Sequence, residues 1–354
     1  MKKTLVFKVN PENPEVKIIR EAANIIRNGG LVAFPTETVY GLGADALNAK
    51  AVLTLFRAKR RPLDNPPIVH VGKFEDVYKL ARAVPAEAEI LMKTFWPGPL
   101  TLVFKRSAVV PDVTVAGLDT IAVRMPKHNV ALTLIRESGC PIAAPSANLA
   151  GRPSPTTAEH VLEDLDGRID AVLDAGPTRI GVESTVLDMT VDPPQILRPG
   201  GTPREALEAV LGRVELHPVA VAEKRLPVEK ARSPGMKHRH YAPKAKLIVV
   251  EGELSATVKK VMELVNLYRE RGMKVGVLAT DETANLYGAD VVKSLGSRSR
   301  LDVVAKNLFR LLREFDAEGV EIIIAEGVPT EGLGLAVMNR LRKASGYRIV
   351  KASV

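Results

Sequence analysis

Short segments scattered through the first two hundred residues concentrate side chains able to hold an anion and polarise it. The stretch PTETVYGLG (residues 35–43) crowds two threonines, a carboxylate and a tyrosine against glycines 41 and 43, which permit close backbone approach. Such a wall of hydroxyls and amides suits a polar metabolite, with Thr38 the preferred contact, although a capped turn would use the same residues. FRAKRRPLDNPP puts Lys59, Arg60 and Arg61 at the end of a helical pattern, where cations normally offset the helix dipole. Pro62, Pro66 and Pro67 then stiffen the chain and present Arg61 and Asn65 at a rigid mouth. Arg61 offers the planar fork that suits phosphate, and Lys59 a mobile point charge. PPIVHV carries His70 on an apolar strand pattern, where a histidine is more often a core residue than a ligand.

PIAAPSANLAGRPSPTT is the most informative segment. An apolar strand pattern runs into Ser146-Ala147-Asn148, and a Gly/Pro/Ser-rich loop with Ser154 follows. Ligands of α/β sheets bind at strand carboxyl ends, and amides with hydroxyls suit phosphate oxygens. Comparable strand ends carry Thr120 and Arg124 (TIAVRMP), Ser184 (GVESTVLDM) and Arg198 (QILRPGG). Packing arginines 61, 124 and 198 together would be costly unless an anion lay between them. The sequence contains no HExxH, CxxC, GxxxxGK[ST] or GxSxG, and Cys140 has no evident activating partner. Metalloprotease, zinc-module, P-loop and covalent readings therefore fall away, and no protein-held structural metal is expected. The chemistry should rest on charge stabilisation and positioning.

These residues need an α/β scaffold, and the patterns supply one. PEVKIIREAANIIRNGG and AKAVLTLFRAKR read as helices flanking LVAFPTETVYGLG, a strand that runs into a glycine-punctuated turn. Short apolar strands follow in PPIVHV, GPLTLVF, TIAVRMP, PIAAPS, AVLDAG, STVLDM and PQILRPG, with helices at HNVALTLIRESG and REALEAVLGRV. Residues 1–214 are thus expected to form one twisted α/β domain. Residues 215–245, with four prolines and no periodicity, read as a linker. Residues 246–354 alternate strand and helix from KLIVVEG to LGLAVMNRLRKAS, which predicts a small Rossmann-like domain. Its first strand-to-helix turn, EGELS, lacks GxGxxG, so dinucleotide binding is not expected there.

Charge is unevenly placed. The chain of 354 residues carries +9 overall, but between Lys224 and Lys246 eight Lys/Arg face one acid, Glu229, so that segment alone holds +7. A basic strap aimed at something anionic fits this better than a spread nucleic-acid surface. No run approaches the roughly 20 apolar residues of a membrane helix. The N-terminus lacks the long apolar region of a secretory signal. One cysteine and no possible internal disulfide fit a reducing, cytoplasmic setting. A single glutamine among many charged residues fits a heat-adapted source.

PTETVYGLG, KRRPLDNPP, SANLAGRPSPT, ESTVLD and LRPGG, in this order, resemble the YrdC-like threonylcarbamoyl-AMP synthases, and SPGMKHRHYAPKAK resembles the interdomain segment of that family's long form. One departure is Asn65, which stands where many members carry a lysine. The resemblance implies a twisted open α/β sheet with a concave basic cavity. It implies condensation of L-threonine, bicarbonate or CO2 and ATP, with Mg2+, into threonylcarbamoyl-AMP and pyrophosphate. A separate complex would then transfer the group to tRNA. By the same resemblance, Thr38, His70, Arg124, the backbone of Ala144 and Ser184 would read threonine. Lys59, Arg61, Asn65, Thr120, Ser146, Ser154, Arg198 and, from the linker, Tyr241 would hold the nucleotide, with Lys59 and Arg61 catalytic. The basic linker around His238, Arg239, His240 and Tyr241 would act as a lid. Two rivals stand beside this reading: a non-enzymatic tRNA-binding module, disfavoured by few aromatics among the basic residues, and another carbamoyl-adenylating enzyme on the same scaffold.

Overall fold

The pattern PEVKIIREAANIIRNGG becomes the helix Val16–Arg27, which buries Ile19, Ala22, Ala23 and Ile26 along one stripe. AKAVLTLFRAK becomes the helix Ala49–Lys59, opened by the Asn48 side chain accepting from the amides of Lys50 and Ala51. The computed structural model describes residues 3–228, 231–234, 236–237 and 240–353. Its chain falls into two units: Met1–Ala150 with Ser154–Ala220 and Pro227–His238, and Gly151–Pro153 with Val221–Leu226 and Arg239–Val354.

The first unit is built on eleven strands: β1 (Leu5–Lys8), β2 (Val32–Phe34), β3 (Gly41–Asp45), β4 (Val69–His70), β5 (Leu100–Lys105), β6 (Thr120–Arg124), β7 (Ile142–Ala143), β8 (Ala171–Asp174), β9 (Thr185–Asp188), β10 (Gln195–Arg198) and β11 (Glu215–Leu216). They pair in the order β1-β8-β2-β3-β7-β4-β6-β5-β9-β10-β11, a mixed sheet. Alternate residues around β2 enter different cores: Leu31 and Ala33 join Leu55, Phe56 and Phe104, while Val32 and Phe34 join Ile19, Leu134 and Leu173.

Several expectations are corrected here. The glycine-punctuated stretch GLG is strand, not turn. A Cβ on Gly43 would lie 2.8 Å from Ile142 and 2.9 Å from Phe34, so glycine is the residue that lets neighbouring strands close up. Arg61 follows a helix, as its pattern indicates: Arg60 ends that helix in the left-handed conformation, and the Arg61 amide donates to Phe56 O. The segment expected to be linker contains β11 and a short helix, Pro218–Val221. The N-terminal strand β1 was not anticipated.

The second unit carries five parallel strands, β12 (Lys246–Gly252), β13 (Val275–Ala279), β14 (Val291–Ser294), β15 (Ile322–Glu326) and β16 (Ile349–Ala352), in the order β14-β13-β15-β12-β16. Helices Leu254–Glu270, Leu301–Ala317 and Gly334–Ala344 alternate with them. Every strand and α-helix matches its pattern except β16, which the sequence reading lacked. At the end of β15 the buried Glu326 carboxylate accepts from the Thr280 amide and the hydroxyls of Thr280, Thr283 and Tyr287, a satisfied network that fixes the loop after β13. No helix among the described residues is long and apolar enough to cross a membrane.

Candidate active site

Three neighbouring strands and one turn build the first half of the site. In the turn between β2 and β3, the Thr36 hydroxyl donates to Val39 O (2.7 Å) and accepts from the amides of Thr38 and Val39. Its one proton being committed, the 2.8 Å contact to Thr38 Oγ1 must be donated by Thr38. Thr38 Oγ1 in turn accepts from Arg124 Nη1 at 3.0 Å, and Arg124 Nε donates to Gly98 O at 3.2 Å. Glu37 supplies the counter-charge, with Oε2 2.7 Å from Arg124 Nη2. That contact is an ion pair without a directional hydrogen bond, since Glu37 Oε1, Oε2 and Arg124 Nη2 all lack one.

β4 and β6 run parallel with His70 opposite Arg124. His70 packs edge-on against Phe34, and its Nδ1 faces Ile68 O at 3.2 Å, which assigns the ring proton to Nδ1 and leaves Nε2 as an acceptor. Burial, and secondarily the charge of Arg124, hold its pKa down at about 3, so the imidazole is neutral at physiological pH. The Ala144 amide donates to Ile68 O, setting the β7 end beside this ring.

Ser184, just before β9, shares a 2.8 Å hydroxyl contact with Thr101. Arg198 at the end of β10 donates from Nε and Nη2 to Ser184 O and from Nη2 to Ser184 Oγ. The glycine after LRP permits this approach: a Cβ on Gly200 would stand 2.3 Å from Glu183 O.

On the side expected to hold nucleotide, Lys59 is wholly buried and its ammonium donates to the carbonyls of Ser146 and Asn148, fastening the SANLA loop. Burial, then the neighbouring Arg61 charge, push its pKa well below the usual lysine value. Arg61, also buried, donates from Nε to Asn65 O (2.8 Å) and from Nη2 to Pro66 O (3.1 Å), so it braces the proline-stiffened mouth. Ser154 Oγ donates to Glu183 Oε1 at 2.5 Å. Asn65 is buried with Oδ1 lacking a hydrogen bond. Thr120, buried, begins β6 on the same face as Arg124, four residues and roughly 13 Å of strand away.

The structure thus joins Thr38 directly to Arg124, sets His70 beside it, and links Ser184 to Arg198, Lys59 to Ser146 and Arg61 to Asn65. Arg61 and Arg198 donate to backbone carbonyls, and Glu37 supplies the counter-charge of Arg124. Glu37 and Glu183 were missed as site residues. The acid inside PTETVYGLG was the available signal for the first, and ESTVLD for the second. Tyr241 belongs to the second unit, where its ring stacks on Phe309 (5.4 Å) with the Arg340 guanidinium 5.2 Å from its centroid. His238 and Arg239, part of the expected lid, lie outside the described residues. Nearby in sequence, Arg232 pairs with buried Asp188 (2.5 Å) and Lys237 with Asp64 (2.6 Å), all four within the first unit.

A mixed sheet carrying this arginine, threonine and histidine group, followed by a parallel α/β unit, defines a two-module α/β protein with a YrdC-like first module. A Sua5/YciO/YrdC family profile described as "Telomere recombination" matches residues 24–200, and one described as "Threonylcarbamoyl-AMP synthase, C-terminal domain" matches residues 202–346. The threonylcarbamoyl-AMP synthase of Pyrococcus abyssi is 55% identical over 98% of this chain and 99% of its own. That of Bacillus subtilis is 51% identical over 94% of each. The crystal structure of P. abyssi Sua5 complexed with L-threonine superposes with a TM-score of 0.94 at 54% identity, covering 99% of this chain and 100% of that one. Escherichia coli YciO resembles the first unit alone, with a TM-score of 0.52 at 26% identity over 56% of this chain and 96% of its own. The chain belongs to the threonylcarbamoyl-AMP synthase family, in its two-domain form.

Proposed function

We propose that the protein condenses L-threonine, bicarbonate or CO2 and ATP into threonylcarbamoyl-AMP and pyrophosphate in the cytoplasm, for a separate complex to pass to tRNA. The observation that carries this reading is an enclosed Arg124 bonded to Thr38 beside a neutral His70, an acceptor and donor set fitted to a small hydroxylated acid. Threonine's carboxylate falls to Arg124 and its hydroxyl to Thr38 and His70 Nε2, with the Ala144 backbone and Ser184 completing that side. Lys59, Arg61, Asn65, Thr120, Ser146, Ser154 and Arg198 are assigned to the nucleotide.

The neutral amine of threonine adds to the carbon of CO2 as one C=O π bond opens onto oxygen, or displaces the hydroxyl of bicarbonate as water. It gives up an N–H proton, to solvent or to the departing hydroxyl, leaving a carbamate. A carbamate oxygen then attacks the α-phosphorus as the bond to pyrophosphate breaks. Negative charge grows on the phosphates, and Lys59 and Arg61 offset it, Lys59 also holding the Ser146 loop in place. Among the described residues no three His, Cys, Asp or Glu side chains are grouped to hold a metal. ATP is taken to carry Mg2+, which would add charge neutralisation at the phosphates.

Carbamates decompose readily in water, so the site must be shielded. The basic linker is the proposed lid, with Arg232 and Lys237 among the described residues holding it through Asp188 and Asp64. Replacing Arg232 and Lys237 by alanine should slow adenylate formation at limiting bicarbonate, because more carbamate decomposes before it reaches ATP; an unchanged rate speaks against the lid. The test of the function is incubation with labelled ATP, bicarbonate and L-threonine, following pyrophosphate and the adenylate. Product formation without dependence on threonine would refute the assignment.

A further inference from the structure

Glu37 is a buried carboxylate with no use in the chemistry above. Its side chain is 2% exposed, neither oxygen has a hydrogen bond, and its one ion-pair partner among the described residues is Arg124. Buried carboxylates ordinarily collect donors, and a buried ion pair is normally completed by further hydrogen bonds. Donors stand close by and are directed elsewhere. The Thr36 hydroxyl points to Val39 O, and the Thr38 and Val39 amides point to Thr36 Oγ1. The Glu37 backbone is not at liberty to shift either: Ile180 N donates to Glu37 O at 2.8 Å and Gly181 N to Thr38 O at 3.0 Å. Glu37 and Arg124 therefore form a fixed pair of opposite charges in an enclosed site, Arg124 being anchored through Thr38 and Gly98 and Glu37 retaining its whole acceptor capacity.

We propose that this pair reads the zwitterion of the amino-acid substrate, Arg124 meeting the carboxylate and Glu37 accepting N–H hydrogen bonds from the α-ammonium. The inference rests on the reading of this pocket as the threonine side. Glu37 is a specificity residue here, and no proton transfer is assigned to it. An acid lacking the amine would leave Glu37 buried without a donor and would set a second anion beside it, so hydroxy acids are rejected as well as threonine accepted.

The experiment compares binding of L-threonine, 3-hydroxybutanoate (no amine) and 1-aminopropan-2-ol (no carboxylate) by calorimetry on the full-length protein, wild type and Glu37→Gln, with ATP binding measured alongside. Wild type should bind L-threonine at least about tenfold more tightly than either analogue, since a charge-assisted hydrogen bond is lost with each. Glu37→Gln should weaken L-threonine by at least about tenfold, leave 3-hydroxybutanoate unchanged or tighter, and keep ATP affinity within about twofold. Equal loss of threonine and 3-hydroxybutanoate in the variant would overturn the proposal, marking Glu37 as a support for Arg124 only. So would a wild type that takes 3-hydroxybutanoate as well as threonine, a comparison that stands even where the variant fails to fold. A wild type that binds ATP but not L-threonine would instead overturn the substrate reading on which the inference depends, and does so before any substitution is made.

Discussion

His70 makes a quantitative prediction, because its environment forbids the proton that an exposed histidine would carry. Burial, aided by Arg124, lowers its pKa from 6.5 to about 3 in the folded protein. Between these values the unfolded chain binds a proton at this position and the folded chain does not, so stability must fall as pH drops through the window from 6.5 to about 3. The slope is about 1.4 kcal/mol per pH unit, which gives a loss of about 2 kcal/mol by pH 5, an order-of-magnitude figure for this one group. His70→Gln keeps a polar side chain there but has nothing to titrate. Urea midpoints of wild type and variant at pH 7.5 and 5.0 should therefore converge, wild type losing about 2 kcal/mol more. His128 and His217, whose pKa values are also lowered by burial, act equally in both proteins and cancel in the comparison. Histidine ring carbon shifts give the direct readout, with the His70 ring still neutral at pH 5. Parallel pH dependence in the two proteins, or titration of His70 near 6.5, would refute the argument that this imidazole is an enclosed neutral acceptor.

Other positions give sharper structural tests. Gly200→Ala pushes a Cβ to 2.3 Å from Glu183 O and should destabilise the first unit by about 2 kcal/mol or more, with loss of activity; a thermal transition matching wild type would contradict the close approach of LRPGG to ESTV. Lys59→Met removes the donor of the Ser146 and Asn148 carbonyls, and should cost about 1–3 kcal/mol and weaken ATP binding, read by calorimetric unfolding and nucleotide titration. Arg61→Ala should lower both the rate, by about 10²–10³-fold, and the stability, by about 2 kcal/mol, because its donors hold Asn65 O and Pro66 O. A rate loss at undiminished stability would show those carbonyl contacts to be dispensable.

What could be read in the chain without coordinates divides along a physical line. Elements whose periodicity is set by one buried face were legible: Val16–Arg27 declares its stripe through Ile19, Ala22, Ala23 and Ile26, and four of the five strands in the second unit announce themselves as apolar runs between helices. β16 escaped because Ile349–Ala352 is only partly buried at the sheet edge and carries Lys351, which pairs with Glu223 and Glu251. The GLG stretch misled for the opposite reason, since glycine serves a tight approach between β2, β3 and β7 as readily as a turn. Residue types in the site were visible because Thr38, His70, Arg124 and Ser184 sit in segments with distinctive neighbours. Which charge meets which was not visible: Arg124 lies far along the chain from Glu37, and nothing local tells an acid that neutralises an arginine from one that caps a turn. Once Glu37 is placed, the buried Arg124 charge is one half of an ion pair, which is what the proposed zwitterion recognition rests on. That is why the threonine half of the pocket is the part where fold and substrate chemistry can be tested against each other most directly.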